Sequence, residues 1–526
     1  MKTKKIVALI LAVALFLSLC ACGDKKKTAK LDVDLSGGYP IETDAELTYW
    51  MELTSNVSAT ASNFGETEFA KELAKRTGVK VTYLHPAIGK ATEAFNLLVA
   101  SGDLPDIIEH FWKTAMPGGV NAAFQNEVIV PLNDLIENYS PNLAKYLSEN
   151  PDVDRMVKTD DGQYYAYPNF RSDPRLSVTR GPVIRKDWLD ELGLRVPETL
   201  EEWEEMLIAF RDKKGASSPL TLQKGDVAHL YRLVGFTRDM YLEDGKVSYA
   251  IYDENFKRGI ETLNRWYKEG LLDKNYVLND VAALDSNMLN NHAGATFASG
   301  GSGMGKWLAA KKGTSFDLVG AELPKIDGKA NEYGALDTQY HPYNCAAIST
   351  KCETPELAAK YLDYLYSEEG HMFANFGIEG VSYNMIDGYP TYSDIIMKNP
   401  DGLSVSQAMS KYIRGNGGGP FVQDVRYIEQ YYEFDSQKEA LDAWMKQTEY
   451  SKKKTLPPVE FTMEESNEIA SFYSDITKYC SEEIVSFIMG EKSFSEYDSF
   501  VKTVEKMGIK RAIEIYQDAY ERYMKK

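Results

Sequence analysis

The order of apolar and polar positions predicts alternating strands and helices at the start of the folded chain. Residues 46–50 alternate like a strand, residues 64–77 repeat apolar side chains at helical spacing, and residues 79–83 alternate again. A second helical stretch at 91–101 leads into the short apolar run Ile107–Ile108. This order predicts an α/β sheet with parallel members, and open sheets of this kind bind ligands at the carboxyl ends of their strands.

A second strand-to-helix start appears at residues 181–192, which we interpret as the entry to a second lobe. Thr199 and Glu202 predict a capping box at the start of the next helix, because a threonine followed three residues later by a glutamate satisfies free N–H groups there. Later strands are predicted at 295–298, 319–323 and 345–348, and a further helix from Thr354. From about residue 436 the chain is helix-rich and heavily charged.

The N-terminus has the pattern of a lipoprotein signal. Lysines in the first five residues precede an apolar run at 6–19, which is too short for a comfortable membrane span and suits a secretory signal. Leu19 and Ala21 lie three and one positions before Cys22, as a lipobox requires. We predict a signal peptide at 1–21, diacylglycerol on the Cys22 sulfur and a flexible polar tether at 22–43. The alternatives are an ordinary signal cut nearby or an uncleaved anchor.

Charge and cysteine content exclude several classes of partner and site. The formal net charge of −19 should repel nucleic acid and anionic membrane surfaces, so contact with a membrane is expected only through the lipid. Cys345, Cys352 and Cys480 remain beyond the signal, and an odd number without paired spacing predicts neither a disulfide framework nor a zinc site. A single bridge between Cys345 and Cys352 is the alternative to three free thiols.

Five stretches resemble a known family when they are taken together and in order. They are residues 101–108 (SGDLPDII), 183–194 (VIRKDWLDELGL), 197–203 (PETLEEW), 353–360 (ETPELAAK) and 375–383 (NFGIEGVSY). Each stretch alone is weak, but their order across nearly the whole mature chain resembles the family 1 extracellular solute-binding proteins, in the long lipoprotein branch common in Gram-positive bacteria.

The resemblance implies an α/β fold of the two-lobed periplasmic-binding type (type II), with hinge-crossing segments and a helix-rich C-terminal part. We expect lobe 1 at 44–175, lobe 2 at 176–325, a return to lobe 1 at 326–400, and a helix-rich region spanning both lobes at 401–526. The expected function is that of a monomeric receptor, lipid-anchored on the extracytoplasmic face of the cell membrane, which captures a carbohydrate for the membrane subunits of an ABC importer. A peptide or other polar solute, or delivery to a sensor kinase, remains an alternative.

The resemblance also raises the question of calcium. Many relatives carry an Asp-rich calcium loop after the helix that matches residues 201–210. Here the corresponding segment 211–218 (RDKKGASS) is short of carboxylates, so we predict no calcium there. No cofactor and no other metal is expected.

A sugar needs an aromatic platform and polar groups around it, and these requirements select candidate residues. Trp307 is the first candidate, because it follows the predicted strand 295–298 and its glycine-rich turn, where the family often places a cleft tryptophan. Trp50 lies at the end of the first predicted strand, and Trp112 follows the predicted strand at Ile107–Ile108, where cleft residues are expected. For all three, packing in the core is the alternative. The weaker candidates are Tyr343, Asp337, Arg180, Asn63, Glu66 and Tyr383.

Residues 300–306 (GGSGMGK) nearly match a phosphate-binding P-loop, but the next residue is Trp307 where Ser or Thr should hold magnesium. We therefore interpret this segment as a loop that lets backbone approach the ligand cleft. An enzyme, for example a surface glycosidase with paired carboxylates, is the alternative class. The sequence has no HExxH metal motif and no Gly-x-Ser-x-Gly elbow, so we predict no catalysis.

Overall fold

The computed structural model describes residues 33–178, 180–334, 336–414 and 418–526. The strands within these residues are β1 Glu46–Trp50, β2 Lys80–Leu84, β3 Ile107–His110, β4 Tyr167–Arg171, β5 Arg180–Arg185, β6 Met240–Glu243, β7 Lys246–Tyr249, β8 Ala295–Ser299, β9 Leu318–Gly320, β10 Tyr340–Ile348, β11 Tyr383–Ile386, β12 Tyr389–Tyr392 and β13 Phe421–Gln423.

The α-helices of the described residues are α1 Ser55–Ser58, α2 Glu68–Thr77, α3 Ala91–Ser101, α4 Trp112–Ala115, α5 Gly119–Gln125, α6 Asn133–Tyr139, α7 Pro141–Glu149, α8 Pro151–Val157, α9 Lys186–Leu192, α10 Leu200–Lys214, α11 Val227–Leu233, α12 Phe256–Lys268, α13 Val281–Leu289, α14 Lys306–Ala310, α15 Pro355–Asp363, α16 Glu368–Phe376, α17 Asp394–Met397, α18 Val405–Tyr412, α19 Arg426–Tyr431, α20 Asp435–Met445, α21 Thr448–Lys454, α22 Met463–Ala470, α23 Tyr473–Met489, α24 Tyr497–Lys506 and α25 Ile509–Lys525.

Lobe 1 is built on a six-stranded mixed sheet with the order β13–β4–β10–β3–β1–β2. β1 is parallel to both β2 and β3, as the strand–helix order of the sequence predicts. β10 returns later in the chain and pairs antiparallel with β3 and β4. The carboxyl ends of β1, β2 and β3 therefore lie at one edge, where β10 begins.

The first βαβ unit shows why these residues fold locally as they do. Phe69 and Leu73 on α2 are buried against the sheet, and the helix ends at Gly78 in the left-handed conformation (φ 76°). A Cβ at Gly78 would lie 2.2 Å from the Ile41 carbonyl oxygen, so only glycine fits this helix end. The expected helix 64–77 is interrupted at Thr67, whose hydroxyl accepts from the Ala70 N–H and caps α2.

Lobe 2 has a small antiparallel sheet with the order β8–β5–β9, surrounded by helices. Its core combines residues of α10 and α12 with residues of the C-terminal helices α23–α25, so the end of the chain completes this lobe. The predicted cap of α10 is present at Thr199, whose hydroxyl accepts from the Glu202 N–H at 3.2 Å. The Glu202 carboxylate accepts from the N–H of Glu198 and not from that of Thr199. The return hydrogen bond of the capping box is therefore made by the residue before the cap.

Within the described residues, the chain crosses between the lobes after β4, after β9 and after β13, and residues 460–469 also run from lobe 1 to the core of lobe 2. α20 follows the third crossing and packs on β5 and β9 of lobe 2. Trp444 of α20 donates from Nε1 to the Pro182 carbonyl oxygen at 3.2 Å and lies directly over Gly181, where a Cβ would be 2.4 Å from the indole ring. The molecule therefore has the two-lobed α/β architecture with hinge-crossing segments. None of the helices in the described ranges is long and apolar enough to cross a membrane.

Candidate functional site

A cleft of about 590 Å³ opens beside the glycine-rich segment of lobe 2. Its lobe 2 wall comes from residues 223–226, from α13 and from residues 297–309. The opposite wall comes from Ser404–Ser406 at the start of α18, which packs on α1 and α2 of lobe 1, and from the crossing residues Tyr431–Gln437. The cleft thus lies between the lobes, next to the hinge.

A polar cluster forms the inner wall of this cleft. Arg180, the first residue of β5, forms an ion pair with Asp226, and Gln223 Nε2 donates to the second Asp226 oxygen at 3.0 Å. Burial raises the pKa of the Asp226 carboxyl, and the Arg180 guanidinium opposes that rise. Leu220 pairs in parallel with Ala295 of β8, so the chain after Leu220 runs towards the carboxyl edge of the lobe 2 sheet. Asp226 lies at that edge, immediately before α11.

The glycine-rich segment Gly300–Gly305 forms a π-helical turn in the wall of the cleft. A Cβ at Gly301 would lie 2.1 Å from the Tyr431 ring, and a Cβ at Gly305 would lie 2.4 Å from Gln437 Nε2. Gln437 Nε2 donates to the Gly300 carbonyl oxygen at 2.7 Å. The glycines therefore permit close contact with Tyr431 and Gln437. A side chain at Gly301 or Gly305 would push the glycine-rich segment away from these two residues.

Trp307 lines the cleft but is only 1% exposed. Its Nε1 donates to the Asp285 carboxylate at 2.7 Å, and Lys306 pairs with the other oxygen of the same carboxylate at 2.6 Å. The indole packs among Met288, Met304 and neighbouring apolar side chains. In this conformation its ring faces are covered by protein, so stacking on a sugar stays a prediction.

Trp50 and Trp112 lie in the core of lobe 1. Trp112 is fully buried, and its Nε1 donates to the Ile108 carbonyl oxygen at 3.2 Å. Trp50 is 6% exposed and packs against Phe95 and the edge of His110. Trp50 ends β1 and Trp112 follows β3, as predicted, but both rings fill the space under the sheet edge and offer no open face here.

The family of the chain follows from comparison with known proteins. The model of the bacterial extracellular solute-binding protein family matches residues 61–372. This chain belongs to that family. The solute-binding proteins similar to it include the fructooligosaccharide ABC transporter substrate-binding protein FusA of Streptococcus pneumoniae, which is 26% identical in an alignment that covers 98% of this chain and 97% of FusA. The polygalacturonan/rhamnogalacturonan-binding protein YtcQ of Bacillus subtilis is 23% identical and covers 86% of this chain and 87% of its own.

Solved solute-binding proteins share the fold. The alginate-binding protein AlgQ2, in a structure without calcium ion, superimposes with a TM-score of 0.75 at 26% identity and covers 91% of this chain and 99% of its own. FusA in complex with kestose superimposes with a TM-score of 0.73 at 23% identity, with the same coverage. These likenesses confirm the fold class that the sequence predicts.

The other predicted contact residues of this solute-binding protein are dispersed. Asp337 lies on the second crossing segment and pairs with Arg171 at 3.1 Å. Asn63 and Glu66 cap a short 3₁₀ turn after α1, where Glu66 accepts from the Ser62 and Asn63 N–H groups. Tyr383 is buried in a separate hairpin against Phe376. Ligand contact by these residues stays a prediction. The Tyr343 side chain and Cys22 lie outside the part of the chain that the structure describes.

Several cleft residues were not among the sequence candidates. They are Gln223, Asp226, Ser302, Ser404, Ser406, Tyr431 and Phe434. Asp226 could have been found, since the segment before it reads as an apolar run that ends in polar residues. Ser404–Ser406 and Tyr431 carry no such signal, because the fold brings them to the cleft from about 100 residues beyond the lobe 2 sheet.

No group of three or more His, Cys, Asp or Glu side chains within the described ranges is arranged to hold a metal ion. In the segment 211–218, the Asp212 carboxylate pairs with Arg211 at 2.6 Å. Absence of calcium from this segment stays a prediction.

Proposed function

We propose that this protein captures an oligosaccharide between its lobes and delivers it to the membrane subunits of an ABC importer. We also propose that it is held on the extracytoplasmic face of the membrane by lipid on Cys22. The observation that carries the proposal is the match to FusA over 98% of this chain, because a relative of the same length that is named for fructooligosaccharide binding shares the whole two-lobed architecture. YtcQ, named for polygalacturonan and rhamnogalacturonan, supports the same ligand class.

The chemistry of the cleft suits this ligand class. Sugars present hydroxyl groups around an apolar ring face, so a site for them combines hydrogen-bonding side chains with aromatic rings. The cleft wall supplies the Asp226 carboxylate, the Gln223 amide and the Ser302 hydroxyl on lobe 2. The half-buried rings of Tyr431 and Phe434 lie opposite. Closing the hinge brings these two sets of groups onto one ligand, and the bound ligand then favours the closed state.

We test this proposal by thermal unfolding of the full-length protein, purified in mild detergent, with panels of oligosaccharides and of short peptides. A ligand present at one hundred times its Kd stabilises the folded state by about 2.7 kcal/mol, which raises the unfolding temperature measurably. Stabilisation by one class of oligosaccharide is the expected result. Stabilisation by peptides alone, with every sugar inactive, would overturn the carbohydrate assignment.

A further inference from the structure

A second, smaller cavity of about 20 Å³ adjoins the cleft. Arg180 and Phe297 belong to the walls of both cavities, so the small one lies directly behind the inner wall of the cleft. Its ionisable lining side chains are Arg180, His229 and Arg232, and its remaining lining is apolar or uncharged. No carboxylate faces it among the described residues, although the chain as a whole has a net charge of −19. We name it the basic recess.

Arg232 forms no ion pair in the described part of the chain, and the carboxylates of Asp239 and Asp337 act on it only from a distance. Its side chain makes a single hydrogen bond, from Nη1 to His229 Nδ1 at 3.5 Å, although a guanidinium carries five N–H donors. Asp337, which influences it from a distance, is paired with Arg171. Burial lowers the pKa of Arg232, Arg238 lowers it further, and Asp239 and Asp337 oppose this. The N–H donors of Arg232 that make no hydrogen bond within the described residues are free to bind an anion that enters the recess.

His229 does not supply additional positive charge. Burial, together with the smaller effect of the charges of Arg232 and Arg180, lowers the pKa of His229 to about 3. The imidazole is therefore neutral at pH 7 and stacks on Phe297 with ring centroids 5.5 Å apart. The positive charge of the recess belongs to the two arginines, and only Arg180 has a partner, Asp226, on the cleft side.

The size of the recess limits what can enter it. A volume of about 20 Å³ is room for little more than one water molecule, so no sugar ring fits inside. A space of this size admits one oxygen of a carboxylate whose ring stays in the cleft, and guanidinium groups bind carboxylates through charge-assisted hydrogen bonds. Neutral hydroxyl groups would leave the charge of Arg232 uncompensated.

We infer that the ligand of this protein is an acidic oligosaccharide, and that a uronate carboxylate seated at the inner wall of the cleft accepts hydrogen bonds from Arg232 and Arg180. The inference rests on the proposed oligosaccharide-binding function and narrows it to one chemical class. Arg232 is the residue that selects acid over neutral sugar.

Calorimetric titration of the full-length protein in detergent tests this inference. The probes are a panel of uronate oligosaccharides of two to six residues (galacturonate, mannuronate and guluronate), each paired with its methyl ester, and neutral fructo- and gluco-oligosaccharides of the same lengths. One acidic oligosaccharide is expected to bind at least tenfold more tightly than its ester, with an affinity that falls as salt is added. The ester keeps the ring and its hydroxyl groups, so the difference reports the carboxylate alone.

Variants of Arg232 assign the effect to the recess. Arg232→Met should weaken binding of the acidic oligosaccharide ten- to hundredfold. Arg232→Lys should recover only part of the loss, because an ammonium group cannot form the paired geometry. Arg195→Met removes one positive charge from the surface of lobe 2, where the side chain is 84% exposed, and should leave the affinity unchanged.

The outcomes separate this inference from the proposed function. Equal affinity for acid and ester, or binding of neutral oligosaccharides alone, would overturn the inference and leave the oligosaccharide receptor standing. An acid preference that Arg232→Met does not reduce would also overturn it. If peptides bind and no sugar of either kind does, the proposed function itself fails.

Discussion

Arg414 of lobe 1 is buried and Arg232 of lobe 2 is half-buried, and the two guanidinium groups have different partners. In lobe 1, Arg414 donates from Nη2 to both Glu109 oxygens at 2.8 Å, with side chains that are 6% and 3% exposed. In lobe 2, Arg232 makes one long hydrogen bond to a neutral histidine and forms no ion pair among the described residues. Arg414 is structural because Glu109 compensates its charge. Arg232 forms no such pair, and we infer that its guanidinium binds the ligand.

The lobe 1 pair is a closed unit. Glu109 on β3 also accepts from the Tyr49 hydroxyl at 2.6 Å, and the Arg414 guanidinium lies 5.0 Å from the centre of the Phe64 ring. Each charge is thus compensated by its partner, and the carboxylate is further satisfied by Tyr49. Removal of one partner leaves the other buried and unpaired, which costs more than the pair itself contributes.

The largest effect is therefore expected from Glu109→Gln. The free energy of unfolding should fall by about 3–5 kcal/mol, because Arg414 is left buried without a counter-charge. Chemical denaturation of the ligand-free protein measures it. Glu68→Gln is the matched control, since its carboxylate is 46% exposed and pairs only with Lys71, so a loss below about 0.5 kcal/mol is expected. Similar losses in both variants would show that the buried pair does not stabilise lobe 1.

The contrast between the lobes also shows what the sequence could predict. Local periodicity predicts the elements β1, α3, β3 and α9 closely, because burial of one face repeats along each element. The pairing of Glu109 with Arg414 spans 305 positions, and no local pattern signals it. β13 was not predicted, since three residues are too few to show an alternation.

The candidate site was harder to predict than the fold for a related reason. A tryptophan near the end of a predicted strand needs apolar surface to pack against, and either the protein core or a ligand can provide that surface. Trp112 and Trp307 are accordingly buried. Arg180 was among the sequence candidates and does line the cleft, but its partner Asp226 and the lack of a partner at Arg232 are properties of the folded chain.

A smaller change in the free energy of unfolding is expected when the pH is lowered, and it depends on the burial of His229 in lobe 2. The folded protein holds the pKa of His229 at about 3, whereas the unfolded chain titrates near its ordinary value of 6.5. Below pH 6.5 the unfolded state therefore binds more protons, and the stability that His229 contributes is lost as the pH falls towards 3. His229→Gln should reduce the loss of unfolding free energy between pH 7 and pH 5 by about 1–2 kcal/mol. Chemical denaturation at the two pH values measures it, and an unchanged difference would contradict a neutral His229.

The smallest effect is expected from Arg232→Met in the absence of ligand. Since Arg232 forms no ion pair among the described residues, an apolar side chain of similar length should leave the free energy of unfolding within about 0.5 kcal/mol or raise it. Arg414→Met is the matched variant in lobe 1 and should lose several kcal/mol, because it strands Glu109. Denaturation of the two variants side by side therefore tests the comparison directly. A loss of several kcal/mol in Arg232→Met would make Arg232 a structural residue like Arg414. No change in stability, together with lost affinity for acidic sugar, would show that its charge is kept for the ligand.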